Sequence, residues 1–372
     1  MIPVQRPYIG QEELEAVRKV FDSRWLGMGS VTKEFEDKLC EFLAVKYVIA
    51  VNTGTSALHI ALDAIGLQPG DEVIVPSLTF VAPVQAIITV GARPVFCDVF
   101  DNTLNMDIRD AIKRVTHKTK VIMPVHYGGL VCEMDELLSF TRSCEIRIVE
   151  DAAHAFGSSH KGRKVGTLGD VTCFSFDPIK NITCGEGGAV VTNNDEIAGR
   201  VVQKRILGID NDTWSRYHNE RNWFYEVVTS GYRYHLSNIN AAIGLEQLKR
   251  FEMFKVRKQE IVRHYHEAFK NVGGLALINY NLKETFPFFY VVRVLSGKRD
   301  TMMKHLKEKG IATGVHYIPN HLQPLFVQYR VSLPVTEKIY EEILTLPLYF
   351  EMTEAEQEKV IKAVLGFFKK GF

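Results

Sequence analysis

Lys180 stands in the stretch Phe174-Ser175-Phe176-Asp177-Pro178-Ile179-Lys180-Asn181-Ile182-Thr183-Cys184-Gly185-Glu186-Gly187-Gly188, one amine between an apolar run and a glycine-rich turn. A lysine amine ordinarily has a pKa near ~10.4 and, protonated, is a poor nucleophile. In a dry, crowded pocket it loses its proton and can form an imine with an aldehyde. A solvated surface lysine is the plain alternative, and context decides between them. Residues 171–176 and 189–192 read as buried strands, which puts Lys180 in the connection between two core elements. Gly185, Gly187 and Gly188 would let backbone approach a ligand closely.

Other reactive groups follow apolar runs in the same way. Asp151-Ala152-Ala153-His154 comes after the run at 146–150. A carboxylate at the end of a buried strand costs several kcal/mol unless it is paired. A pyridinium nitrogen would be one partner, and keeping it protonated makes the ring an electron sink; a nearby loop to cap is the other. His154 either touches ring substituents or fills the wall. Asn52-Thr53-Gly54-Thr55-Ser56 lies between an apolar run and a helical one, and such a turn presents hydroxyls and backbone N–H groups where a helix dipole favours an anion such as phosphate. An ordinary Ser/Thr helix cap has the same composition. Ser77-Leu78-Thr79-Phe80 and His126-Tyr127-Gly128-Gly129 end two further runs. Phe80 is either a core side chain or a ring stacked on a pyridine face, an arrangement that gains roughly 0.5–1.5 kcal/mol beyond burial.

The elements that must position these groups are strands at 47–51, 72–75, 94–97, 121–125 and 146–150 with helical stretches between them. That alternation predicts an α/β body with a mostly parallel sheet, whose ligands bind at the carboxyl ends of the strands. Before it, Leu14, Val17, Val20 and Phe21 at helical spacing predict an amphipathic helix over 11–22 packed on the body, and Trp25 in the following turn either packs in the core or reaches a ligand. From Ser237 a long helical run passes through Leu245, Leu248, Phe251 and Phe254 into the charged segment 255–266. It reads as the connector between a large domain, 1–245, and a smaller α+β domain, 246–372. The second domain has a strand at 288–292, a helix over 300–309 stopped by Gly310, and a last helix opened by a Thr353/Glu356 capping box. Residues 312–321 are expected to end a strand with exposed polar rings, either a substrate wall or a simple junction.

The bulk numbers exclude several functions. A chain of 372 residues can bury a cofactor, and 45 basic against 44 acidic residues give a net charge of +1 and no electrostatic case for nucleic acid or an anionic membrane. Six cysteines lie far apart with no CxxC pair, which fits reduced thiols in a cytoplasm and no metal centre. The start Met-Ile-Pro-Val-Gln-Arg-Pro lacks an export pattern, and no apolar run is long enough to span a bilayer.

Taken together, Asn52-Thr53-Gly54-Thr55-Ser56-Ala57-Leu58, Pro76-Ser77-Leu78-Thr79-Phe80, Glu150-Asp151-Ala152-Ala153-His154-Ala155 and the stretch from Phe174 to Gly188 resemble the DegT/DnrJ/EryC1/StrS family of sugar aminotransferases, nearly end to end. The resemblance implies a fold type I enzyme dependent on pyridoxal 5′-phosphate, working in polysaccharide biosynthesis. It implies that Lys180 forms the imine with the cofactor and then shuttles the proton between substrate carbon and cofactor carbon. It also implies that Asp151 holds the ring nitrogen, Phe80 stacks on the ring, His154 sits near the ring hydroxyl, and Thr55, Ser56 and Ser175 hold the phosphate. Relatives carry Gly-Tyr-Asn-Tyr-Arg near the connector, with the asparagine reaching the phosphate of a homodimer partner; here the residues are Gly231-Tyr232-Arg233-Tyr234-His235, and Arg233 takes that place. His316 and Tyr317 match the family's sugar-contacting segment. The implied reaction moves an amino group, from glutamate, onto a keto carbon of a nucleotide-linked deoxysugar. A keto-inositol or other cyclic ketone is an alternative acceptor. Dehydratase relatives have histidine in place of the lysine, and a regulator that binds the cofactor without catalysis should have lost Lys180 or Asp151.

Overall fold

A computed structural model of the chain describes residues 1–210 and 225–369. Helices α1 (Gln11–Ser23) and α2 (Ser30–Leu43) precede β1 (Tyr47–Val51), and α3 (Gly54–Ile65) follows it. Then come β2 (Glu72–Pro76), α4 (Val81–Thr89), β3 (Arg93–Cys97), α5 (Ile108–Lys113), β4 (Thr119–Ile122), α6 (Met134–Cys144) and β5 (Arg147–Asp151). A short hairpin of β6 (Ser159–His160) and β7 (Arg163–Lys164) leads to β8 (Val171–Ser175), β9 (Gly188–Thr192) and α7 (Asp195–Arg205).

These strands make a seven-stranded sheet in the order β1-β9-β8-β5-β4-β2-β3, with the hairpin separate. Strand β9 pairs antiparallel with both β1 and β8, and the remaining pairs are parallel. The strands are Val- and Ile-rich on both faces because helices cover both faces. Val48, Ala50, Ile148 and Phe174 point into one core, while Ile49, Val51, Val149 and Cys173 point into the other. Side-chain alternation therefore does not show as a polar–apolar alternation in the sequence.

The connector is two helices, α8 (Asn238–Lys249) and α9 (Phe251–Phe269), broken at Arg250. Beyond them β10 (Leu275–Leu277), β11 (Tyr290–Val294) and β12 (Ile343–Leu346) form an antiparallel sheet, accompanied by α10 (Arg299–Glu308), α11 (Pro334–Glu342) and α12 (Glu354–Lys369). Tyr290, Val292 and Val294 face a core shared with α9, α10 and α12. Val291, on the opposite face, packs with Leu78, Val99 and Tyr127. The small sheet thus lies on loops at the carboxyl ends of the large sheet. Thr353 and Glu356 form the expected capping box.

Two expectations are corrected. Leu14 and Phe21 are exposed, and α1 buries Val20 as expected but with it Glu13, whose carboxylate pairs with Arg250 and takes a hydrogen bond from Gln247. Residues 312–321 form no strand; Gly314 makes one isolated bridge to Thr345 and the chain then coils into a 3-10 turn at Asn320–Leu322. Nor are the rings there exposed, since His321 is fully buried.

At the shared end of β1 and β9 the backbones nearly touch. A Cβ on Gly188 would lie 2.4 Å from the Thr53 carbonyl oxygen and 2.8 Å from the Gly54 nitrogen. Because neither neighbour is a flexible side chain, Gly188→Ala is expected to destabilise the fold by about 1–3 kcal/mol. The lowered urea midpoint would measure this, and an unchanged midpoint would show that the contact is soft.

Candidate active site

Four strand ends deliver the chemistry. The turn after β1 supplies Thr53, Gly54 and Thr55; the turn after β2 supplies Thr79 and Phe80; β5 ends on Asp151; and β8 ends on Ser175, followed by Asp177 and Lys180. All of these, with His154 and Glu186, line one cavity of about 170 Å³.

Thr53 caps α3, its hydroxyl oxygen accepting the Ser56 amide at 3.0 Å. The cap reading was therefore correct for Thr53, yet it leaves the next residues available. Amides of a first helical turn have no acceptor within the helix, and Gly54 and Thr55, which make up that turn, both line the cavity. The Ser56 hydroxyl is tied to Asn52 Oδ1 at 2.7 Å and to Thr53 Oγ1 at 2.8 Å and its amide to Thr53 Oγ1, so Ser56 braces the turn from behind while Gly54 and Thr55 line the cavity. Ser175 closes the cradle. A Cβ on Gly54 would lie 2.7 Å from the Ser175 Cβ and 3.0 Å from its Oγ, a distance of approach that only glycine permits.

Asp151 is buried, and burial pushes its carboxyl above the usual range, opposed by the Ala153 amide, Lys180 and His126. The Ala153 amide donates to Oδ1 at 3.0 Å. Its backbone is pinned on both sides, by Asp151 N–H to Pro124 O at 2.9 Å and by His126 N–H to Asp151 O at 3.1 Å. The His126 ring itself turns into the core. The Cys132 amide donates to Nδ1 at 3.2 Å, which leaves Nε2–H to donate to the fully buried Glu150 carboxylate at 2.8 Å.

The Lys180 amine stands 4.4 Å from the centroid of the Phe288 ring. Burial lowers its pKa to about 8, while Asp177 and Asp151 oppose the shift. His154 stacks on the same Phe288 ring, centroids 4.4 Å apart and planes at 14°. Its Nε2 is 3.1 Å from the Tyr317 hydroxyl, and burial holds the imidazole neutral. Phe80 is half exposed and tilts against Tyr317 at 5.7 Å, so it is a lid residue and no core phenylalanine. His316 stacks on Phe289 at 5.0 Å, its Nδ1 is 2.7 Å from Thr345 Oγ1, and burial followed by the Lys180 charge lowers its pKa to about 4.

Arg233 is not brought into this cavity. Its neighbours Tyr232 and Tyr234 stack on each other at 4.9 Å and bond inward, to Asp63 at 2.9 Å and His59 at 2.9 Å, while Arg233 is exposed. Trp25 is also away from it, its indole donating to Met28 O at 2.9 Å.

The residues fit a phosphorylated, aromatic, cationic-nitrogen ligand. His154 Nδ1 and Thr79 Oγ1 are buried without a hydrogen-bond partner, and both residues line the cavity. An unmet buried polar atom costs about 1–3 kcal/mol, so such atoms mark where a ligand's groups would sit. Together with the α3 amides at one end and the Asp151 carboxylate, they match the phosphate, ring substituents and ring nitrogen of pyridoxal phosphate. No group of three or more His, Cys, Asp or Glu among the described residues could hold a metal ion.

The family model described as the DegT/DnrJ/EryC1/StrS aminotransferase family matches residues 7–365. The chain belongs to that family. It is 37% identical to the spore coat polysaccharide biosynthesis protein SpsC of Bacillus subtilis, over 99% of this chain and 97% of that one. Among solved structures it is similar to Helicobacter pylori PseC, an aminotransferase involved in the biosynthesis of pseudoaminic acid (TM-score 0.94, 27% identity, 99% of each chain). It is also similar to Spr1654 of Streptococcus pneumoniae in its PMP form (TM-score 0.93, 29% identity, 100% of each chain), a protein also solved in a PLP form. Its fold is therefore that of the type I enzymes dependent on pyridoxal phosphate.

Sequence reasoning missed several residues of this site. Asp177 and Glu186 sit inside the quoted lysine stretch, and Thr79 inside its own block, without having been singled out. Phe288 comes from the small sheet, and nothing local ties it to Lys180. Lys258 was hidden in the charged run, although Phe254, Lys258, Ile261, Val262, Tyr265 and Phe269 form one buried stripe of α9 at helical spacing. Its amine donates to Asn181 Oδ1 at 3.0 Å and to Phe288 O at 3.2 Å.

Two outcomes follow from this geometry. Gly54→Ala must displace Ser175, and should weaken pyridoxal phosphate binding roughly tenfold or more by fluorescence titration, since charge-assisted bonds of about 1.5–3 kcal/mol are at stake. Burial, and then the nearby Lys180, lowers the Lys258 pKa to about 7. Below that value folded and unfolded chains both hold the proton, and above ~10.4 neither does. Between them the unfolded chain binds the extra proton, so stability rises with pH. Urea midpoints should climb across this window, and Lys258→Met should shallow the climb, leaving the part due to Lys180. An equal slope in both proteins would mean that Lys258 is charged in the fold.

Proposed function

We propose that this aminotransferase moves the amino group of glutamate onto a keto carbon of a nucleotide-linked keto-deoxysugar, with pyridoxal 5′-phosphate as its cofactor. The observation that carries the reading is a lysine amine with a pKa near 8 lining the same cavity as a buried strand-end carboxylate. When bound, the cofactor supplies an aldehyde that accepts an amino group and a ring that takes up electrons.

The chain supplies the rest. The Asp151 carboxylate keeps a proton on the ring nitrogen. Lys180 Nζ, unprotonated in part near neutral pH, would be the base that takes up the proton released at the substrate carbon and the acid that gives it back. The amides of Gly54 and Thr55, the α3 dipole at Ser56 and the Ser175 hydroxyl hold the phosphate. Phe80, at the mouth of the cavity, would cover a bound ring from solvent, and His154 Nδ1, buried without a partner, would meet a ring substituent. His316 and Tyr317 form the sugar wall, where a neutral imidazole and a phenol suit hydroxyls better than charges. Arg233, exposed and directed away from its own cavity, serves the phosphate of a second copy in a homodimer. Retention of both Lys180 and Asp151 favours catalysis over a regulatory role. The names of SpsC and PseC support a sugar acceptor, since they place one protein in spore coat polysaccharide biosynthesis and the other in the biosynthesis of pseudoaminic acid.

The decisive assay incubates the protein with glutamate and a panel of keto-sugar nucleotides and follows 2-oxoglutarate release. Release with at least one sugar nucleotide is expected, and Lys180→Ala should lower it by about 10²–10⁴. Turnover confined to cyclic ketones such as a keto-inositol would overturn the acceptor assignment. Light scattering showing an active monomer would remove the role given to Arg233.

A further inference from the structure

The turn that presents Thr79 and Phe80 is held from outside its own domain by a buried polar chain that the transfer chemistry above does not use. The Asn320 backbone amide donates to Ser77 O at 2.9 Å. Asn320 Nδ2 lies 3.2 Å from Ser77 O, 2.8 Å from Thr79 O and 3.4 Å from Phe80 O, so one side chain reads three carbonyls of the turn. The His321 amide donates to Ser77 Oγ at 3.0 Å, and His321 Nδ1 is 2.7 Å from the same oxygen. Burial keeps the ring neutral with a single N–H, and because Nε2 faces the Glu337 carboxylate, which only accepts, that hydrogen sits on Nε2 and Nδ1 accepts the Ser77 hydroxyl. Nε2–H then donates to Glu337 Oε1 at 3.2 Å, an oxygen that also accepts the Leu333 amide at 3.1 Å.

The order serine, histidine, carboxylate is that of a hydrolytic triad, but Ser77 and His321 are both fully buried and no substrate can reach the hydroxyl. The arrangement is a fastener. What it fastens is specific: on one side the turn with Thr79 and Phe80, on the other the segment that begins with His316 and Tyr317. The Asp98 carboxylate secures the same segment downstream, accepting the Thr336 amide and hydroxyl, each at 2.7 Å, at the start of α11.

We propose that Asn320 and His321 are positioning residues of the transfer reaction, a latch that locks the cofactor-facing turn to the substrate wall so that the Thr79 hydroxyl and Phe80 ring keep one height over the cofactor. An ordinary hinge contact would only join the domains. This one fixes the carbonyls of the residues that touch the ring, so the acceptor-binding loop and the ring environment move as one body. The inference rests on Phe80 facing the cofactor, as given above, and not on which sugar is the acceptor.

The test uses holoenzyme with glutamate alone, and is therefore independent of the acceptor. Asn320→Ala, and Ser77→Ala as a milder variant of the same node, should reduce the visible circular dichroism per bound coenzyme at least about twofold and slow the glutamate half-reaction by about tenfold, the scale set by misplacing a group by a fraction of an ångström. In a Phe80→Leu background, Asn320→Ala should have little further effect, since coupled residues are non-additive. Variants that melt lower but keep the dichroism and the rate per bound coenzyme would overturn the proposal. So would full additivity with Phe80→Leu.

Discussion

The site depends on dehydrating one amine without stranding a charge. Lys180 follows β8 of the large sheet, and its amine lies against the Phe288 ring, which enters just before β11 of the small sheet. The carboxylates of Asp177 and Asp151 pull the other way and hold the pKa near 8, where an appreciable fraction of the amine is free at neutral pH. Such a balance needs both walls. The contact between small sheet and strand-end loops, with Val291 against Leu78, Val99 and Tyr127, is thus part of the electrostatics of Lys180 as well as of stability.

The same amine shapes the groups around it. His154 and His316 both titrate below the ordinary range, first because they are buried and next because Lys180 is close. His126 shows the contrast. As buried as His154, it is paired with Glu150 in the core, and its backbone serves to hold the Asp151 strand end in place. Two histidines of similar burial therefore do different work because one has a carboxylate beside it and the other an amine.

Much of this was legible in the sequence because strand ends are marked by abrupt changes from apolar runs to Gly, Ser, Thr, Asp or His. The strands at β1, β2, β3, β5 and β8 and the groups that follow them were placed within a residue or two. Lys180, Asp151 and the turn holding Thr55 could be placed next to core strands from that pattern, while the role of Ser175 came from the family resemblance. What could not be read depends on distant partners. Phe288 touches Lys180 only through the docking of two sheets, and Lys258 is a cation on an otherwise apolar stripe, legible only if the helical period is followed through a charged run. Residues 312–321 misled because a β-rich composition was satisfied by tertiary hydrogen bonds: Asn320 and His321 bond to the Ser77 turn where a strand would have bonded to a neighbour. Leu14 and Phe21 misled because helical spacing reports an apolar stripe and not which surface covers it.

The direction of Arg233 is fixed by the same period-two logic that builds the sheets. Its segment lies beside the phosphate turn, with the Asn52 amide donating to Tyr234 O at 2.7 Å and Val51 bridged to His235. Proximity alone would suggest an arginine serving the adjacent cradle. Yet Tyr232 and Tyr234 are both anchored inward on α3 through Asp63 and His59, so the residue between them must face outward. A shift of one residue would turn Arg233 toward the helix, but it would expose two stacked tyrosines and break both of their hydrogen bonds. The aromatic pair therefore acts as a register pin, and it commits the one cation of this segment to a surface outside its own cavity.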